Sequence, residues 1–190
     1  AVVVTHDAAT FISATLRSLL DDPAGPEEIV VVDSGSTDAT AAVVAGFPTV
    51  RWHPLGQNLG FGAAVVAGVD LAGQDLVAVL NHDVTVHAGW LPPLVAALDA
   101  AKTGAAMATI ELADRPGHFN TSGGRMTVTG IAWITDHGKP IDDGDPVEVP
   151  FPSGAAFAMR RSMWDRVGGM RPDFFLYHED TDLGWRLRLH

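Results

Sequence analysis

Glu179, Asp180 and Asp182 crowd three carboxylates into four residues, directly after the aromatic run Phe174-Phe175-Leu176-Tyr177. Acids packed beside apolar surface are the raw material of a catalytic base, because burial and like-charge neighbours change when a carboxylate takes up a proton. The same acids also suit the first turn of a helix, where they offset exposed N–H groups and the macrodipole. A second acidic element, Leu80-Asn81-His82-Asp83-Val84, closes an apolar stretch far upstream. Its amide and carboxylate oxygens are hard donors suited to Mg2+ or Mn2+ shared with a diphosphate, and strand alternation aims both to one side if the strand continues. Asp83 is the expected metal ligand, with His82 turned elsewhere. His178 reads equally as a substrate contact or a structural residue.

Three more segments carry recognition chemistry. Asp33 ends a Val-rich run, where its carboxylate can accept from the imide N–H of a uracil or thymine ring; Asp33-Ser34-Gly35-Ser36 is equally ordinary turn chemistry. In Asn58-Leu59-Gly60-Phe61-Gly62 the glycines allow close backbone approach, either to a phosphate or ribose or to a packed neighbour. Val65 occupies the place of the last glycine of a G-x-G-x-x-G fingerprint, so this is no dinucleotide motif. Ser153-Gly154-Ala155 offers small residues for a sugar or acceptor, or for core packing.

The elements that must position these residues follow from periodicity. Ala1 to Thr5 reads as a buried strand, and Phe11, Ile12, Leu16, Leu19 and Leu20 recur at helical spacing before Asp21-Asp22-Pro23. Glu28 to Asp33 is a second strand, followed by a capped turn and a short Ala/Val helix. Thr49 to His53, Leu59 to Leu71, Asp75 to Leu80 and Trp90 to Ala101 continue the alternation as strand, helix, strand and helix. From Glu111 to Pro152 Gly, Pro and Asp clusters loosen the pattern around one expected strand at Met126 to Thr135. Ser153 to Met159 is a further strand-like run, with a short helix near Ser162 to Val167 broken by Gly168-Gly169. Alternating apolar strands and helices predict an α/β fold with a mostly parallel, Rossmann-like sheet covered on both faces. Ligands in such sheets bind beyond the carboxyl ends of strands, where His6, Asp7, Asp33, Ser34 and Asn81 to Asp83 fall.

Composition bounds the reading. The chain has 190 residues, 47% of them hydrophobic, which suits one buried core and one domain. The expected division is a nucleotide-binding half at 1–101 and an acceptor-side half at 102–190, in a domain truncated at one or both ends. Twelve Lys and Arg against 23 Asp and Glu give a formal charge of -11, which disfavours nucleic acid and anionic membrane partners. The absence of cysteine removes disulfides and thiolate metal sites. No apolar run reaches the roughly 20 residues that cross a bilayer, and no leader pattern opens the chain.

Taken in order, Val3-Val4-Thr5-His6-Asp7, Ile29 to Asp38, Asn58 to Gly62, Leu80 to Asp83, Ser153 to Ala156, Gly168-Gly169-Met170 and Phe174 to Leu183 resemble an inverting glycosyltransferase of family 2, the GT-A fold, in its rhamnosyltransferase-like branch. The resemblance implies a pyrimidine nucleotide-sugar donor, dTDP-rhamnose or a UDP-sugar, and a hydroxyl acceptor on a cell-surface glycan or lipid-linked molecule. It implies nucleotide contacts from Thr5, Asp7, Asp33, Ser34, Asn58, Gly60 and Asn81, a Mg2+ or Mn2+ ion on Asp83, and acceptor or sugar contacts from Ser153, Gly154, Ala155 and His178. Asp180 would be the general base, with Glu179 and Asp182 as rivals; Arg186, four residues on, offers Asp182 a helical ion pair. Asn81 stands where many relatives carry the first Asp of a D-x-D motif. The implied setting is cytoplasmic, or the cytoplasmic face of the membrane reached through segments beyond this chain. A non-catalytic nucleotide-sugar-binding module and a sugar nucleotidyltransferase are the alternatives; the latter lacks a Gly-rich, Arg-containing loop after the first strand.

Overall fold

The computed structural model describes residues 1–100, 102–142 and 144–190. Its centre is a six-stranded sheet in the order β3-β2-β1-β4-β10-β5, formed by Arg51–Pro54, Val30–Asp33, Val2–Thr5, Leu76–Asn81, Ala156–Arg160 and Ala106–Met107 respectively. The first four strands are mutually parallel, and β10 runs antiparallel to both β4 and β5. This reversal brings the start of β10 to the edge where β1, β2 and β4 end, with the Asn81 backbone N–H donating to the Ala155 carbonyl at 3.0 Å.

The strands read as continuous apolar runs because both faces are covered. Val2, Val4, Val30, Val32, Phe157 and Met159 pack toward α3 (Phe61–Leu71), α5 (Arg161–Val167) and α6 (Glu179–Arg188). Their alternate neighbours Val3, Val31, Ala156 and Ala158 pack toward α1 (Ile12–Leu20), α2 (Thr40–Val44) and α4 (Leu91–Leu98). Prolines 92 and 93 fall in the first turn of α4, where a missing N–H costs nothing. The expected extension of this helix to Ala101 lies partly outside the described residues.

Helix α3 starts at Phe61 rather than Leu59, because Gly60 takes φ 84 and ψ 172, a conformation essentially reserved for glycine. Both ends of α3 are tied to late parts of the chain. At its head the Phe61 N–H donates to the Phe175 carbonyl at 3.0 Å. At its tail the Arg161 guanidinium donates to the carbonyls of Val69 and Ala72 at 2.9 and 2.7 Å, and to that of Gln74 at 3.1 Å.

The looser region holds two small antiparallel pairs, β6 (Ile110–Glu111) with β7 (Phe119–Thr121), and β8 (Gly124–Met126) with β9 (Ala132–Ile134). The single strand expected from Met126 to Thr135 is therefore a hairpin. Gly130, at φ 85, and the Thr127 hydroxyl, which accepts from the Ile131 N–H at 3.1 Å, close a turn that the run of apolar side chains hides.

Candidate active site

The ends of β1 and β2 lie level, Thr5 opposite Asp33, and β4 ends beside them with Asn81 opposite Val4. The loops beyond are laced by short polar side chains. The Asp7 carboxylate accepts from the N–H groups of Thr37 at 2.7 Å and Asp38 at 3.3 Å, which holds its pKa below the ordinary carboxylate value. Its own N–H donates to the Ser36 hydroxyl at 2.9 Å, and the Ala8 and Ala9 N–H groups donate to Thr40 and Asp38. Asp33 is buried, and its carboxylate accepts from both the N–H and the hydroxyl of Ser36. The turn chemistry read beside the pyrimidine role is thus present. Thr5 is fully buried beneath these loops, its hydroxyl without a partner among the described residues.

Ser34 and Asn58 join the second loop to the start of α3. The Ser34 hydroxyl donates to Asn58 Oδ1 at 3.2 Å and accepts from the Leu59 N–H at 3.0 Å, while the Gly60 N–H donates to Asn58 Oδ1 at 2.9 Å. The glycines of this motif are pressed by backbone. A Cβ on Gly60 would lie 2.1 Å from the Phe175 carbonyl oxygen, and one on Gly62 would lie 3.0 Å from that of Arg171 and 3.7 Å from the Glu179 Cβ. Close packing accounts for both, and its effect is to bolt the Asn58–Gly62 loop to the segment that carries the acids.

That segment separates the three acids. All stand in the first turn of α6, preceded by Tyr177 and His178, both at φ 69, a left-handed conformation that costs a non-glycine residue roughly 1–2 kcal/mol. Asp182 is bound to Arg186 at 2.6 and 2.9 Å, the helical pair expected from spacing, and Arg186 also donates to the Val167 carbonyl at the end of α5. Glu179 is only 6% exposed, and its Oε2 has no partner among the described residues. Burial pushes its pKa up, and the nearby Asp180 charge adds to the rise. Asp180 is half-buried at the rim; one carboxylate oxygen accepts from the Gly154 N–H at 3.2 Å and the other from the Thr181 N–H at 2.7 Å.

Ser153, Gly154 and Ala155 precede β10 and face this acid. The Ser153 hydroxyl accepts from the Ala155 N–H, and a Cβ on Gly154 would lie 3.2 Å from the Phe61 ring and 3.8 Å from Asp180. Phe61, absent from the sequence-derived site, therefore lines it. An aromatic residue between two glycines at a helix start was the available signal. His178 is exposed beside the acids.

Strand β4 stops at Asn81, and His82 and Asp83 form a turn closed by the Val84 N–H on the Asn81 carbonyl. Alternation is thus not what places Asp83, contrary to the strand argument. His82 turns its ring to the Val4 carbonyl at 3.3 Å, and its own carbonyl accepts from Thr15 at 2.6 Å, which leaves Asp83 exposed at the rim. Among the described residues no three His or acidic side chains gather into a ready-made metal cage. One carboxylate and one amide oxygen fit a hard divalent ion that takes its other ligands from water and a diphosphate.

The family model for glycosyl transferase family 2 matches residues 1–168. An N-acetylglucosaminyl-diphospho-decaprenol L-rhamnosyltransferase of Mycobacterium tuberculosis is 31% identical over 212 residues, covering 98% of this chain and 69% of that protein. The chain belongs to glycosyl transferase family 2. The succinoglycan biosynthesis protein ExoO of Rhizobium meliloti is 38% identical over 102 residues, 53% of this chain and 29% of that protein. Among solved structures, the mannosyltransferase PcManGT from Pyrobaculum calidifontis, in complex with GDP-Man and Mn2+, superposes with a TM-score of 0.66 at 20% identity, over 96% of this chain and 49% of that one. The S. aureus TarS 1-349 structure gives 0.69 at 18%, over 99% and 54%. This family 2 glycosyltransferase thus has the GT-A fold and spans about half of those solved chains.

Proposed function

We propose that this glycosyltransferase moves a sugar, with inversion, from a pyrimidine nucleotide donor to a hydroxyl of a lipid-linked acceptor. The donor best supported is dTDP-L-rhamnose, since the relative that aligns with 98% of the chain is named as an L-rhamnosyltransferase acting on a diphospho-decaprenol-linked sugar. The observation that carries the assignment of roles is the separation of the acids on α6. Asp182 is occupied by Arg186 and Glu179 is buried, so Asp180 is the carboxylate at the rim.

In this reading Asp180 takes the proton from the acceptor hydroxyl as that oxygen bonds to the anomeric carbon and the bond from that carbon to the diphosphate oxygen breaks. The Gly154 N–H, already hydrogen-bonded to Asp180, orients the carboxylate. Ser153, Ala155 and His178 border the space where the acceptor would lie. Asp33, Ser34, Asn58, Gly60 and Asn81 would receive the nucleotide, with Thr5 and Asp7 beneath and beside them holding the loops. Asp33 would exchange its Ser36 contact for the base. Asp83, with Asn81, would hold a Mg2+ or Mn2+ ion, whose chemistry is to neutralise the charge gathering on the departing diphosphate.

The test is a donor panel with Mn2+ or Mg2+, scored for binding and transfer. Asp83→Ala is expected to abolish metal-dependent nucleotide binding; unchanged binding removes the metal site from the proposal. Asp180→Asn is expected to keep donor binding and lower the transfer rate by about 10²–10⁴-fold. Retained transfer would move the base elsewhere.

A further inference from the structure

The β8–β9 hairpin presents apolar side chains where a water-exposed ribbon should be polar. Val128 is 93% exposed, Ile131 65%, Trp133 50% and Ile134 52%. The ten residues from Met126 to Thr135 contain no acid, base or histidine, in a chain of net charge -11. Register places Arg125 opposite Trp133 and Gly124 opposite Ile134, so Trp133 and Ile134 point from opposite faces of the ribbon. Exposed apolar side chains therefore stand on both faces and at the turn, with Arg125 at the base of the Trp133 face. A single protein surface laid against one side would leave the other wet, whereas a medium that surrounds the tip would cover all of it.

We propose that this hairpin inserts into the interface of a lipid bilayer. The surrounding chemistry fits. Met126 and Val128 form a groove with Trp185 and Leu189 at the far end of α6, which extends the apolar surface onto the body of the protein. Arg188 lines that groove and Arg125 is exposed at the base of the hairpin, placing two cations where lipid phosphates would lie. Arg188 now pairs with Glu148 in an exposed contact at 2.8 Å, of a kind that exchanges at little cost. Entry by an uncharged tip is what an acidic protein requires, because its net charge opposes attraction to anionic headgroups. The inference is independent of the donor and acceptor reading.

The experiment is flotation of the chain with phosphatidylcholine vesicles, with and without phosphatidylglycerol, alongside sedimentation velocity without lipid. Wild type is expected to float with the neutral vesicles. Val128→Glu and Ile131→Glu are each expected to lower the partition coefficient by on the order of tenfold or more, with the far-ultraviolet circular dichroism unchanged. Brominated acyl chains should quench part of the tryptophan emission, and Trp133→Phe should float yet lose that part. Wild type remaining in the soluble fraction, or glutamate variants floating equally well, overturns the proposal. So does a dimer that Ile131→Glu dissociates without any flotation, which would give the face to a second copy. If a longer form of the chain stays soluble while residues 1–190 float, a further segment covers the face and the proposal falls.

Discussion

Glu179 and Asp180 are sequence neighbours with opposite environments. The buried Glu179 has its pKa raised, so the folded protein holds the proton more tightly than the unfolded chain does. Between the ordinary value of 4.5 and the raised one, the unfolded state has already lost its proton, and stability falls as pH rises through that window. Glu179→Gln, neutral at every pH, should therefore raise the melting temperature at neutral pH, with the gain vanishing as pH falls toward 4.5. Thermal melts across that range check this. Because Asp180 and not Glu179 is the proposed base, transfer should survive Glu179→Gln while Asp180→Asn lowers it by about 10²–10⁴-fold. The Asp182–Arg186 pair could be read from a four-residue spacing. The burial of Glu179 could not, because part of what packs near it is the start of α3, where a Cβ on Gly62 would lie 3.7 Å from the Glu179 Cβ, over a hundred positions upstream.

At the scale of elements, α3 and the acidic segment work as one piece, joined where Gly60 meets Phe175. Gly60→Ala would put a side chain into the Phe175 carbonyl and a non-glycine residue at φ 84, costing about 1–3 kcal/mol from the backbone alone. It should also displace α6 and reduce transfer. Gly56→Ala is the control, at φ 78 with open space around it, and should cost about 1–2 kcal/mol while leaving transfer intact. Urea unfolding read beside transfer rates distinguishes them. Strands β1, β2 and β4 were legible as apolar runs stopped by polar turn residues, and helix α1 as apolar residues at helical spacing. The hairpin at 124–134 was not: one strand was expected from Met126 to Thr135, and the turn at Gly130, fastened by the Thr127 hydroxyl, divides that apolar run in two. Asp83 does follow the end of a strand, but β4 stops at Asn81, so the turn at His82 and not alternation presents it.

For the whole molecule, the reversed strand β10 is what closes the site. A sheet built only of parallel strands would deliver residues 153–155 to the opposite edge; running backwards, β10 sets Gly154 beside Asp180 and in line with the ends of β1, β2 and β4. The same strand leads at its other end into Arg161, whose guanidinium holds the tail of α3 from 92 positions downstream of Val69. Synthesis runs from the N-terminus, so most of the sheet leaves the ribosome before either anchor of α3 exists. A nascent chain arrested before residue 161 should be nicked by protease within 61–72, whereas the released chain resists. The order of birth thus leaves both ends of α3 unanchored until late in synthesis, and gives cellular proteases a window that closes only when the acidic segment arrives.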